Sequence, residues 1–110
     1  PNDRFLEIFN VVDDVIRCAK ENGKYDIFKK EITVIAFSSC LKRVEEINTW
    51  DIDKEKKDAI KKEIFNLMHQ KYGTLDGVSL ENLSTRVSVN VIDEYNLYEL
   101  QRQHKKGNRN

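Results

Sequence analysis

The sequence has little of what a catalytic or metal site requires. Its four glycines are scattered singly, so there is no glycine-rich loop to cradle a phosphate group. The two histidines, His69 and His104, lack a second ligand three or four residues away, which a zinc site would need. Nineteen basic and nineteen acidic residues cancel, and this balance argues against a dedicated nucleic-acid-binding protein. We therefore expect no cofactor, no metal and no catalysis by this chain alone.

Signals for export or membrane insertion are also lacking. Charged Asp3 and Arg4 precede any apolar run, so a secretion signal is not expected. The longest apolar-rich stretch, residues 32–41, is interrupted by polar residues and is shorter than the ~20 residues that span a bilayer. Cys18 and Cys40 both lie within helical patterns, which favours free, buried thiols in a cytoplasmic protein.

Apolar residues recur at helical spacing along most of the chain, which is long enough for one domain. This spacing predicts helices over residues 4–21, 26–47, 54–71 and, near the end, 91–104. Gly23 and Gly73 fit the left-handed position that ends a helix. Asn2 or Asp3 is expected to cap the first helix, and Asp51 or Asp53 the third.

The predicted fold is all-α, a small antiparallel helical bundle of three main helices plus a C-terminal helix. The very short link at residues 22–24 favours antiparallel pairing of the first two helices. Residues 1–104 are assigned to one helical domain and residues 105–110 to a polar tail. The second helix is apolar around much of its girth, which is typical of the most buried helix in a bundle.

The predicted core follows the apolar stripes of the helices. The first two helices are expected to contribute Phe9, Val12, Ile16, Phe28, Ile32 and Ile35. The third is expected to contribute Ile60, Ile64 and Met68, and the last Tyr95, Tyr98 and Leu97.

The segment between the third and last helices has a weaker pattern. Residues 74–77 are predicted to form a turn, and residues 79–83 one helical turn capped by Ser79. Residues 85–91 alternate apolar and polar side chains but have no strand to pair with, so an extended loop is expected. Asn90 is the expected cap of the last helix.

Charged residues are interpreted mainly as solvent-facing. Three acidic pairs occur in helices, but adjacent helical residues point about 100° apart and do not converge on one site; the pairs are Asp13–Asp14, Glu45–Glu46 and Asp93–Glu94. A lysine-rich face marks the first half of the third helix, at Lys54, Lys56, Lys57, Lys61 and Lys62. Interleaved acids favour a surface ion-pair face there over a phosphate-binding patch.

The connector before the third helix carries the candidate interface. Trp50 is the only tryptophan, and with Ile52 it lies next to Lys54 and Lys57. An apolar anchor ringed by positive charge suits a protein partner or peripheral contact with an acidic membrane surface. The alternative is that Trp50 folds back and covers the end of the helical core.

Several segments resemble the helical region that follows the catalytic domain of bacterial family-2 glycosyltransferases, which build capsules and other surface polysaccharides. They are residues 9–16 (FNVVDDVI), 21–25 (ENGKY), 28–31 (FKKE) and, more loosely, 95–98 (YNLY). The family's catalytic residues lie in an N-terminal nucleotide-sugar domain with a strand-borne Asp-x-Asp metal site. That domain is not part of this sequence, so the resemblance transfers no catalytic residue to it.

The resemblance implies an accessory C-terminal helical domain of a glycosyltransferase, supporting acceptor handling, docking or assembly without being catalytic itself. Its expected partner is an upstream catalytic domain, and the first residue, Pro1 rather than Met, fits a piece of a longer protein. The alternative is a free-standing helical interaction module, such as a regulator, an immunity protein or an inhibitor. The sequence leaves the sugar, the partner and the oligomeric state open.

Overall fold

A computed structural model describes the backbone of residues 6–74 and 81–107, and the side chains of those ranges as far as residue 104. Four long helices account for most of it: α1 (Glu7–Glu21), α2 (Tyr25–Asn48), α3 (Lys54–Tyr72) and α4 (Val89–Gly107). Residues 81–83 add a short helical turn, and no strand occurs within the described ranges. The predicted all-α helical bundle is therefore confirmed.

The first and third helices end where Gly23 and Gly73 predicted. Gly23 and Gly73 have positive φ angles of 67° and 76°, where a side chain would be strained. Asp53 is the residue before α3, and its backbone carbonyl accepts a hydrogen bond from the Lys57 amide at 3.0 Å. Its carboxylate makes no capping hydrogen bond, so only the position of the predicted cap is correct.

The segment before α4 differs from the predicted extended loop. The amides of Arg86 and Val87 both donate to the carbonyl of Leu83, at 2.9 and 3.2 Å, so this stretch turns instead of extending. The amide of Ile92 bonds to the Ser88 carbonyl at 3.2 Å, and α4 therefore starts at Val89. Asn90 lies inside the helix, and its assignment as the cap is wrong.

Some predicted features fall outside the described residues. They are the start of the first helix at Arg4 with its Asn2 or Asp3 cap, residues 75–77 of the predicted turn, and Ser79. At the other end, α4 continues to Gly107, three residues beyond the predicted end at His104.

The core forms where α2, α3 and α4 meet, and α2 supplies most of it. Its fully enclosed side chains are Phe37, Cys40, Leu41, Val44 and Ile47. From α3 and α4 the core takes Ile64, Phe65, Met68, Val91, Ile92 and Tyr95, and Leu83 and Val87 enter from the turn between them. The prediction that α2 is the most buried helix agrees with this arrangement.

Three side chains predicted to face inward do not. Phe28 is 47% exposed, Ile35 42% and Leu97 56%, and Ile16 is half-buried. An α-helix turns about 100° per residue, so Ile35 lies about 200° around α2 from the enclosed Phe37. Because α2 is apolar on most sides, its sequence pattern does not single out one face. The packing of α3 and α4 selects the face that carries Phe37.

The α1–α2 hairpin extends beyond this core. The pair runs antiparallel: Ile8 lies near Arg43 and Glu46, late in α2, whereas Lys20 lies near Tyr25 at its start. No residue from 13 through 31 is buried. The described contacts of α1 with α3 are at Phe9, which stacks on Tyr72, and at Asp13. Residues 14–31 therefore form a two-helix projection, called the hairpin tip below.

The cysteines are both free thiols, as predicted, but only one is buried. Cys40 is fully enclosed in the core. Cys18 is exposed, contrary to the prediction, because it lies in the hairpin tip, beyond the point where α1 leaves the core.

The first prediction compares two isoleucines in different surroundings. Ile64→Ala removes an enclosed side chain and should lower the free energy of unfolding by about 2–5 kcal/mol, because it leaves a cavity. Ile27→Ala is the matched control, since Ile27 is 66% exposed. This substitution should change the free energy of unfolding by less than about 0.5 kcal/mol. Urea unfolding followed by circular dichroism measures both. Equal losses in the two variants would contradict the packing described here.

The second prediction concerns thiol reactivity. Burial raises the pKa of the Cys40 thiol to about 12, and nearby Asp13 raises it further against the opposing charge of Lys71. The reactive thiolate is therefore nearly absent from folded Cys40 at pH 8. With a chromogenic disulfide reagent and no reductant, Cys18 should react at once and Cys40 only after unfolding. Cys18→Ser should remove the fast phase and leave the slow phase of Cys40 unchanged. Fast reaction of both thiols, or of neither, would contradict the exposure of Cys18 and the burial of Cys40 described here.

Candidate functional site

A polar cluster lies between α3 and α4 and contains a carboxylate, an imidazole, a guanidinium and a phenol. The Glu99 carboxylate accepts a hydrogen bond from Arg102 Nε at 3.1 Å, and its Oε1 lies 3.5 Å from Nδ1 of His69. Glu99 as a residue is 9% exposed. Beside it, burial and the charge of Glu99 raise the pKa of the Tyr95 hydroxyl.

This cluster fits a structural clamp better than an acid–base site. A catalytic acid or base must come within hydrogen-bond reach of a substrate proton. Glu99 is enclosed, and its carboxylate is already bound by Arg102, with His69 Nδ1 3.5 Å away and without a hydrogen-bond partner. His69 lies at the edge of this cluster, because 29% of its side chain is exposed and its Nδ1 lies 3.5 Å from Glu99.

The acidic pairs were predicted to be solvated faces, which is only partly correct, because one member of each pair also bonds to a distant segment. Asp13 accepts hydrogen bonds from Lys71 Nζ at 2.7 Å and from the Tyr72 hydroxyl at 3.2 Å. Glu45 accepts the Ser88 amide at 2.6 Å, next to the start of α4. Each of these carboxylates joins elements that are far apart in sequence, which periodicity along one helix does not reveal.

The third such carboxylate belongs to Glu94 and organises the lysine-rich face of α3. Lys61 Nζ lies 2.5 Å from Glu94 Oε1 and 2.9 Å from the Asn48 side-chain oxygen, and Asn48 in turn donates to Glu94 at 2.9 Å. Lys57 Nζ donates to the Asn48 backbone carbonyl at 3.2 Å, at the last residue of α2. A cation at a helix C-terminus is favourable because the helix dipole is negative there.

The four residues of the candidate interface differ in exposure: two are half-buried and two are exposed. Trp50 is half-buried and packs against the core, as the alternative interpretation expected. Ile52 is 38% exposed and Lys54 is exposed. Lys57 is half-buried and bound to Asn48 within the chain. The candidate interface therefore offers Ile52 and Lys54 to a partner, and binding at this corner stays a prediction.

The hairpin tip presents a larger apolar surface, which sequence reasoning missed. Ile27 is 66% exposed, Phe28 47% and Val15 43%. Ile27 and Phe28 lie in the first turn of α2, where Phe28 departs from helical geometry with φ −110° and ψ 18°. The available signal was the pair of large apolar residues placed directly after the Gly23 turn. Periodicity assigned Phe28 to the core.

The third prediction tests the Lys61–Glu94 pair. Only 13% of the Lys61 side chain and 32% of the Glu94 side chain is exposed, so water screens the pair weakly. A double-mutant cycle with Lys61→Met and Glu94→Gln should give a coupling free energy of about 1–2 kcal/mol. Unfolding by urea at several salt concentrations measures it.

The matched control is the Arg17–Asp14 pair, whose side chains are 64% and 63% exposed. Its coupling should be close to zero, as expected of exposed ion pairs. A Lys61–Glu94 coupling as small as that of Arg17–Asp14 would refute a role for this network in holding α4 in place.

The described residues contain no group of three or more His, Cys, Asp or Glu side chains arranged to hold a metal ion. Within the same ranges, every helix is too short or too polar to cross a bilayer. Comparison of the sequence with protein-family models, with curated proteins and with solved structures finds no match.

Proposed function

We propose that this chain is a non-catalytic helical interaction domain whose hairpin tip contacts another protein domain. One observation carries the proposal: residues 14–31 project from the core and contain no buried side chain. Large apolar side chains that a bundle leaves exposed on a projection are the kind of surface that mark binding sites. The Glu99 and Glu94 carboxylates are bound by Arg102 and Lys61 within the chain.

The sequence resemblance gives the proposal its specific form. Three of the four segments similar to the helical region of family-2 glycosyltransferases, residues 9–16, 21–25 and 28–31, lie on the α1–α2 hairpin, and the fourth, residues 95–98, lies on α4. In this form the chain is the accessory C-terminal domain of such an enzyme. The hairpin tip packs on the catalytic domain and supports docking, assembly or acceptor handling.

A free-standing module would use the same surface differently. A regulator, immunity protein or inhibitor would dock its hairpin tip on a separate target protein. The residues encoded before Pro1 separate the two forms. Alternating strands and helices with a strand-borne Asp-x-Asp would support the accessory domain, and a start Met directly upstream would support the module.

The fourth prediction tests the hairpin tip as the contact surface. Phe28→Ser should leave helix content and unfolding almost unchanged, because the side chain is already 47% exposed. It should weaken binding to the separately produced upstream polypeptide by about tenfold or more, as expected when an apolar interface anchor is truncated. Isothermal titration calorimetry measures the affinity.

Leu97→Ser is the matched control, since Leu97 is 56% exposed on α4 and lies outside the hairpin. It should bind like the unaltered chain. Equal weakening by both substitutions, or tight binding that neither changes, would rule out the hairpin tip as the interface.

A further inference from the structure

A cleft lies at the base of the hairpin, between α1, α2 and the end of α3. Its volume is about 430 Å³. The floor is apolar and is formed by Ile16, Ile32 and Ala36. The polar lining consists of Lys20, Lys29, Lys71, Asp13, Tyr25, Thr33 and Tyr72.

The charges around this cleft do not balance. Asp13 is its only acidic residue, and that carboxylate is already bound by Lys71 at 2.7 Å and by the Tyr72 hydroxyl at 3.2 Å. Lys20 and Lys29 have no carboxylate of the described residues within ion-pair distance, whereas Lys71 does. The Lys20 ammonium instead lies 4.9 Å from the centre of the Tyr25 ring. The cleft therefore carries two uncompensated positive charges beside an aromatic ring.

We propose that this cleft binds a small organic anion, a phosphate or carboxylate group attached to an apolar or aromatic body. The anionic group pairs with Lys20 and Lys29, since ammonium groups act as point charges for phosphate and carboxylate. The apolar body covers Ile16, Ile32 and Ala36 on the floor. Ile16, Lys20, Tyr25 and Lys29 of this lining also belong to the hairpin tip, so a docked protein domain would approach the same residues. The titration below uses the chain by itself and therefore tests the cleft separately from the protein contact.

Size and chemistry favour a small molecule with both parts. Small-molecule sites have volumes of about 300–1,000 Å³, and this cleft falls within that range. An inorganic ion would satisfy the lysines and leave the floor in contact with water. A neutral apolar molecule would cover the floor without using the charges. Only a ligand that combines the two matches the whole lining.

The fifth prediction uses phenyl phosphate as the probe. Titration of the ¹⁵N-labelled chain, at constant ionic strength, should give saturable amide shifts that centre on residues 16–36 and 71–72. Inorganic phosphate and phenol, titrated in parallel, should each bind more weakly than phenyl phosphate. The double substitution Lys20→Gln and Lys29→Gln should weaken binding of phenyl phosphate by about tenfold or more, because hydrogen bonds to charged groups are lost.

The matched control is Lys56→Gln with Lys62→Gln, two exposed lysines of α3 that do not line the cleft. It should bind phenyl phosphate like the unaltered chain. The proposal is overturned if inorganic phosphate binds as well as phenyl phosphate, or if the shifts spread over all lysines. It is also overturned if a glutamate-rich peptide, and not phenyl phosphate, loses affinity on substitution of Lys20 and Lys29.

Discussion

The burial of α2 is the constraint on which the rest of this structure depends. Its enclosed side chains, from Phe37 to Ile47, are contacted by α3, α4 and the turn that carries Leu83. The aromatic rings of Phe37, Phe65 and Tyr95 meet edge to face at this junction, with centroids 5.5 and 5.6 Å apart. α1 takes part through Phe9 and Val12 near its start, so its later residues are free to leave the core. The hairpin projects because α3, α4 and the Leu83 turn pack against the later part of α2 and leave its first residues uncovered.

Ionic contacts then fix the helices around this core. Glu94, Glu45 and Asp13 each accept a hydrogen bond from a segment that is distant in sequence, and Glu94 and Asp13 each accept two. Apolar packing is tolerant of small rotations, whereas a carboxylate held by two donors is not. These contacts therefore give the orientation of each helix a specificity that the apolar stripes lack.

The surfaces left over are those that carry the functional proposals. The hairpin tip retains exposed Ile27 and Phe28, and the cleft at its base retains two lysines without acidic partners. Both features arise because α3 ends near Asp13 and does not follow the hairpin further. A core that is complete without residues 14–31 leaves those residues available for binding.

The sequence by itself determined the helices, because their periodicity, their glycine ends and their lengths are local properties. Gly23 and Gly73 end α1 and α3 as expected, and α2 and α3 begin and end within one residue of their predicted limits. Tertiary structure decided which faces are buried, since α2 is apolar on most sides and only its neighbours distinguish Phe37 from Ile35. It also decided which member of each acidic pair bonds to a distant segment, and it left Cys18 and Phe28 exposed. Those outcomes depend on distances between residues far apart in sequence, which a helical repeat does not contain.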